Sequence, residues 1–209
     1  MLSAVNYLHQ NSIVHGDIKP QNIHFKDQND HIVKLIDFGT SRRVNEKHAM
    51  HGVFGTSYYL APEVIEGTYS EKCDVWSLGV ILFILLSGVP PFAGNSDEEV
   101  VQSIKKGHFA FDDPCWQDVS NQCKDLILSM LSKESVRPSA AQAFQHPWFE
   151  HVRQLEHTEE PAKIHQRSQN VARALANLRS FSSRNKLKQA ALGYLIQHFL
   201  NVNDASELQ

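Results

Sequence analysis

The stretch from Asp74 to Pro91 constrains the fold more than any other part of the chain. Val75, Trp76 and Leu78 lead into an unbroken apolar run from Val80 to Leu86, and Ser87-Gly88 and Pro90-Pro91 end it. A helix with no polar face has to be enclosed by other elements. From Val75 to Val89 the segment counts fifteen residues, short of the ~20 that cross a bilayer. The sequence therefore predicts a buried core helix and no transmembrane segment. Enclosing it takes a sizeable core, and 209 residues, 42% of them hydrophobic, supply one. A chain of this length buries roughly 70% of its unfolded surface as one globular domain or two small ones. Disorder throughout is excluded.

The flanking patterns are those of a mainly helical fold. Leu2, Val5 and Leu8 recur at three-residue steps and predict an amphipathic helix over residues 2–9. Asn22–Phe25 and His31–Ile36, β-branched and aromatic, flank the polar Lys26–Asp30 and read as a hairpin. The stretch from Asp37 to Pro62 reads as a long irregular loop. Ser70 is expected to cap the core helix. Ser96 is expected to cap one carrying Val100, Val101 and Ile104, and Ser139 one that stops at His146-Pro147. A further helix holds Val119, Leu126, Ile127, Met130 and Leu131. Beyond the hairpin the chain is expected to be all helical, so the fold class is α+β, predominantly α-helical, with one small β-hairpin.

Cys73, Cys115 and Cys123 are an odd, scattered set without a C-x-x-C pair, so idle thiols are expected and not a disulfide framework or zinc site. No basic-then-apolar leader opens the sequence, so an intracellular, cytoplasmic location is expected, with the nucleus also open. No nucleic-acid partner is expected. Residues 1–160 carry a charge of −8 and residues 161–209 one of +5. No acidic residue occurs from Pro161 to Asn203, which marks a boundary. Val171, Leu175, Leu178, Leu187, Ala191, Leu195 and Phe199 form an apolar stripe on that basic background, one or two amphipathic helices with Ser182 or Ser183 capping the second. The expected division is a lobe over 1–149, a polar linker over 150–166, a basic amphipathic helix over 167–203 and a tail over 204–209.

Chemistry concentrates in His15-Gly-Asp-Ile-Lys-Pro-Gln-Asn22, between the first helix and the hairpin. Asp17, Lys19 and Asn22 put a carboxylate, an ammonium and an amide on one tight turn. A hairpin brings its ends together, so Asp37 of Asp37-Phe-Gly39 should lie close to Asn22. An amide oxygen and a carboxylate suit Mg²⁺, which takes one or two protein oxygens beside phosphate and water. Asp17 would then stay free to accept a proton, and Lys19 would supply positive charge.

These motifs occur in one order with Gly55-Thr56, Ala61-Pro62-Glu63, Asp74-Val-Trp-Ser-Leu-Gly79, Gly88-Val-Pro-Pro-Phe92, Arg137-Pro138 and His146-Pro-Trp-Phe149. Together they resemble the carboxyl-terminal lobe of a protein kinase, from Met1 to about Phe149. The resemblance implies ATP-dependent phosphorylation of protein Ser/Thr. Asp17 would accept the substrate's proton, Lys19 would stabilise γ-phosphate charge, and Asn22 and Asp37 would hold Mg²⁺. It further implies that Thr56 braces Asp17 and Lys19, that Glu63 pairs with Arg137, that Asp74 tethers the catalytic turn, and that His15 and Phe38 are packing elements. The tail segment Phe181–Leu192 is similar to the junction helix of calcium-dependent protein kinases of plants and protists. That likeness implies autoinhibition and a calmodulin or calmodulin-like EF-hand partner for residues 170–200.

Three departures stand out. Gly16 replaces the Arg that receives an activation-loop phosphate in most members, and as a glycine is expected to loosen the turn. Gln21 stands where many kinases that favour basic substrates have Glu. No glycine-rich loop or Val-Ala-Ile-Lys strand occurs in these residues, so a chain of these residues alone is expected to be nearly inactive. The alternative reading is a non-catalytic kinase-derived module that docks partners or an EF-hand sensor.

Overall fold

The structure is a computed structural model that describes residues 1–26, 32–43, 57–150 and 172–183. Its elements are α1 (Leu2–Gln10), β1 (Ile13–Val14), β2 (Ile23–Phe25), β3 (Val33–Leu35), β4 (Arg42–Arg43), α2 (Pro62–Glu66), α3 (Lys72–Ser87), α4 (Asp97–Lys106), α5 (Asn121–Met130), α6 (Ala140–Phe144) and, over residues 172–183, α7. The apolar run is α3. It lies at the centre, with α1, α5 and α6 packed against it. Cys73 to Ile81, Phe83 and Ile84 are all buried, as a helix apolar on every side requires. No helix among the described residues is long and apolar enough to cross a membrane.

The core is rich in aromatic contacts. Phe83 meets Trp116 at 4.7 Å between ring centroids, Phe111 meets Trp116 at 4.6 Å, and Phe92 stacks on Trp76 at 5.3 Å. Such pairs add to the burial of their large apolar areas. The three cysteines are unpaired. Burial raises the Cys123 thiol to about 11, and burial with the neighbouring Asp113 does the same at Cys115. Little thiolate is present at neutral pH, as expected of idle thiols.

Helix ends follow local chemistry where nothing distant competes. Ser96 accepts the Glu99 N–H at the start of α4. Ser139 and Gln142 form a reciprocal capping box at α6. Ser70 reaches the start of α3 as expected, its Oγ accepting the Lys72 N–H at 3.4 Å, although Glu71 is the residue that borders the helix; the Ser70 hydroxyl and amide also donate to Glu134. The hairpin forms as β2 and β3, with Ile23 opposite Leu35. Within the stretch read as irregular, Arg42 and Arg43 form a second antiparallel pair with Val14 and Ile13. Ser182 and Ser183 are helical residues of α7, and the Ser183 hydroxyl donates to the Ser180 carbonyl; the second helix expected after them lies outside the described residues. The linker beyond Glu150 and the tail beyond Ser183 lie outside the described residues.

One buried ion pair ties three segments together. Both Arg137 Nη atoms donate to Glu63, Nη2 at 3.0 Å, while Arg137 also donates to the Ser132 and Lys72 carbonyls. Its guanidinium lies over the Trp76 ring, 4.9 Å from the centroid. With the residue 1% exposed, removal of either partner strands a charge in the core. Arg137→Leu is expected to lower the unfolding free energy by about 3–5 kcal/mol. Urea unfolding followed by tryptophan fluorescence measures it, and a loss below about 1 kcal/mol would contradict the account.

Candidate active site

The turn from His15 to Asn22 is held from beneath by α3. Buried Asp74 accepts the His15 N–H through Oδ2 and the Gly16 N–H through Oδ1, both at 2.9 Å. His9 of α1 reaches the same Oδ2 at 2.9 Å. A carboxylate with several hydrogen-bond donors is a strong anchor in a buried setting. The His15 ring is fully buried and lies 5.1 Å from the Phe38 ring. Its Nε2 is 3.1 Å from the Ile36 carbonyl, and Thr40 donates to the His15 carbonyl at 3.1 Å. The turn, the end of β3 and Asp37-Phe-Gly39 are thereby joined.

On this platform three of the four expected side chains meet directly. Lys19 Nζ lies 2.6 Å from Asp17 Oδ2. Asn22, whose side chain is buried, donates through Nδ2 to the Asp17 carbonyl at 2.8 Å and to Asp17 Oδ2 at 3.1 Å. Both neighbours thus engage Oδ2, which leaves Oδ1 to accept from another donor. Asn22 spends its amide nitrogen on Asp17, which leaves its Oδ1 for a cation. The fourth residue is brought in by the hairpin: Ile36 donates its N–H to the Asn22 carbonyl at 2.9 Å, and Asp37 is next in the chain. Asp37 is exposed and takes a left-handed φ of 65°, an uncommon conformation that Asp tolerates better than most residues. One of its oxygens accepts the Gly39 N–H at 3.4 Å.

The donor set is an amide oxygen and a carboxylate, hard ligands without sulfur or imidazole. Among the described residues no group of three or more His, Cys, Asp or Glu side chains could hold a metal by themselves. Two protein oxygens fit an ion that takes the rest of its shell from phosphate and water. Gly55 and Thr56 lie outside the described residues. Sequence reasoning missed His9, whose contact with Asp74 spans 65 positions of chain and leaves no signal in local spacing.

A buried helix that anchors a turn bearing an acid, a lysine and an asparagine, beside a hairpin ending in Asp-Phe-Gly, is an arrangement with a known relation. Residues 1–149 match the family described as Protein kinase domain. The chain belongs to the protein kinase family. It is 40% identical over 211 residues to calcium-dependent protein kinase 4 of Plasmodium falciparum, covering 100% of this chain and 39% of that protein. The Plasmodium berghei protein of the same name matches at the same identity and coverage. Calcium-dependent protein kinase 3 of Plasmodium yoelii yoelii is 37% identical over 200 residues, covering 94% of this chain and 36% of that protein. The chain thus spans about two fifths of the length of the first of these relatives. They bear out the likeness to calcium-dependent protein kinases read from the motifs.

Gly16 corrects one expectation. It holds φ at +77°, the left-handed region in which glycine carries no Cβ penalty. The residue suits the turn. Gly16→Ala is expected to destabilise the chain by about 1–2 kcal/mol, read as a lower urea midpoint at unchanged slope.

Proposed function

We propose that the chain is the substrate- and metal-binding lobe of a serine/threonine protein kinase that transfers the γ-phosphate of ATP to protein hydroxyls under calcium control. The observation that carries this reading is the convergence of Lys19 and Asn22 on one oxygen of Asp17, with the other oxygen left to face a hydroxyl. In this reading Asp17 Oδ1 accepts the proton of the substrate Ser or Thr as its oxygen attacks phosphorus. Lys19, oriented by its ion pair, places positive charge beside the transferring phosphoryl group. Asn22 Oδ1 and the Asp37 carboxylate would hold Mg²⁺, which when bound neutralises triphosphate charge. Phosphoryl transfer depends chiefly on such positioning and electrostatics. Gln21 is exposed beside the turn and, lacking charge, weakens selection for basic residues in the substrate.

The 209 residues contain no glycine-rich loop or paired strand lysine. We infer that on their own they transfer phosphate more than about 10²–10³-fold more slowly than when joined to an ATP-binding lobe. The test is a chimera in which they replace the matching region of calcium-dependent protein kinase 4. Transfer of radioactive phosphate to a generic protein substrate is expected, and Asp17→Asn is expected to lower it by about 10²–10⁴-fold. A chimera that folds but transfers nothing would favour the non-catalytic docking module.

Calcium control rests on α7. Asn177 Nδ2 donates to the Leu85 and Leu86 carbonyls at 3.0 and 3.3 Å, so it satisfies groups that α3 leaves open at its C-terminus. Phe181 is buried and meets Tyr58 edge-on at 5.6 Å. Leu178, partly buried, packs against the same core. The docked face therefore carries Leu178 and Phe181, apolar side chains of a basic helix that an acidic EF-hand groove would also take. A peptide of residues 170–200 is expected to bind calmodulin in calcium and not in chelator. Calorimetry under the two conditions decides, and equal binding would count against the assignment.

A further inference from the structure

Tyr58 belongs to a short 3₁₀ turn, Ser57–Tyr59, that α3 holds beside the His15–Asn22 turn. Asp74 accepts the His15 and Gly16 N–H groups, and three residues further along α3 Ser77 donates to the Tyr59 carbonyl at 2.8 Å. Residues three apart share a helix face and lie about 4.5 Å apart along its axis. The segment of Tyr58 therefore runs next to the turn that carries Asp17. Tyr59 is buried and fixes the backbone there, whereas the Tyr58 ring is only partly buried.

What covers that ring comes from a distant part of the chain. Phe181 of α7 meets it edge-on at 5.6 Å between centroids and is itself buried, so the place beside Tyr58 already holds an aromatic side chain. The occupant has basic neighbours: Arg179 and Arg184 flank Phe181 in the sequence, and Arg179 is exposed. The surroundings of Tyr58 are acidic. Burial and then the Asp97 carboxylate raise the Tyr58 phenol above its usual value, which puts Asp97 near the ring. Asp97, Glu98 and Glu99 are exposed on the first turn of α4, a helix packed against the Ser57–Tyr59 turn. Acidic charge, absent at Gln21, is present here.

We propose that Tyr58, with Asp97 at its side, forms a subsite that selects an aromatic residue flanked by basic residues in the protein substrate, and that Phe181 fills this subsite while α7 is docked. Edge-on aromatic pairs are favoured beyond the area they bury, and opposite charge at the rim favours the right partner over wrong ones. That the bound segment is a substrate rests on the kinase reading above. That the slot binds such a segment does not.

Binding is read first, on the full chain and without catalysis, by the anisotropy of a fluorescein-labelled peptide carrying one Phe between Arg residues, and of its counterpart with Ala in place of Phe. The Phe181→Ala chain, its own occupant removed, is expected to bind the Phe peptide about tenfold or more tightly than it binds the Ala peptide, and more tightly than the unaltered chain binds the Phe peptide. Adding Tyr58→Ala is expected to abolish the difference between peptides, and adding Tyr58→Phe, which keeps the ring, to preserve it. Equal binding of the two peptides by the Phe181→Ala chain, or a preference that survives Tyr58→Ala, would overturn the proposal. Substrate use is read next in the calcium-dependent protein kinase 4 chimera carrying Phe181→Ala, with the Phe and its flanking Arg residues walked along either side of a single Ser. One register is expected to raise kcat/KM about tenfold or more over its Ala counterpart. A chimera that phosphorylates a generic protein but favours Phe in no register would overturn the substrate assignment. One that transfers to no substrate at all counts against the kinase reading, and the binding result then decides the subsite.

Discussion

The site depends on the carboxylate of Asp74. It sits on the first turn of α3, is 1% exposed, and receives two successive backbone N–H groups of the His15–Gly16 turn together with the His9 ring. A backbone turn is held rigid only if its own donors are satisfied in one geometry. Here the acceptor comes from the most deeply packed helix of the chain, so the turn inherits that helix's rigidity. Asp17, two residues past His15, is thereby placed without any contact of its own with α3 in the hydrogen-bond network. The positive φ at Gly16 belongs to the same device, since it lets both N–H groups point at one carboxylate.

A second node works at the other end of the same turn of α3. Arg137 gathers Glu63, the Ser132 and Lys72 carbonyls and the Trp76 ring. A buried ion pair is poor evidence of net stability compared with apolar packing. Its effect here is one of position: it fixes where α2 begins relative to α3. Ser77, one turn after Asp74 on α3, donates to the Tyr59 carbonyl at 2.8 Å and pins the turn before α2. Asp74 and Ser77, three residues apart and so on one face of the helix, serve the His15–Asn22 turn and the segment entering α2, while Trp76 on another face meets the Arg137 node. This is why polar residues are tolerated in an otherwise apolar helix.

What could be read beforehand was what depends on neighbours in the chain. Ser96 and Ser139 cap their helices because the N–H groups they satisfy are three residues away. The hairpin, which sets the Ile36 N–H against the Asn22 carbonyl, follows from period and turn chemistry. Ser70 likewise accepts the Lys72 N–H, yet its hydroxyl also donates to Glu134, and no spacing discloses a partner 64 positions distant. The pair of Ile13–Val14 with Arg42–Arg43 is too short for any period to register. Gly16 illustrates a further limit. Sequence shows a missing side chain, whereas the φ that makes the omission favourable exists only in three dimensions.

The docking of α7 is built at a strength suited to reversal. Burial of one aromatic such as Phe181 contributes roughly 1.5–3 kcal/mol, and each hydrogen bond from Asn177 adds about 0.5–1.5 kcal/mol. Ordering the helix offsets part of this. The net is a few kcal/mol, so a partner that prefers the released helix by about 10²–10⁴-fold shifts the balance. Gly88 sharpens the contact. It ends α3 with φ at +78°, and a Cβ at that position would come within 3.2 Å of Asn177 Oδ1. The glycine that terminates the core helix thus also leaves room for α7 at its open carbonyls, so the element that anchors the His15–Asn22 turn at one end carries the α7 contact at the other.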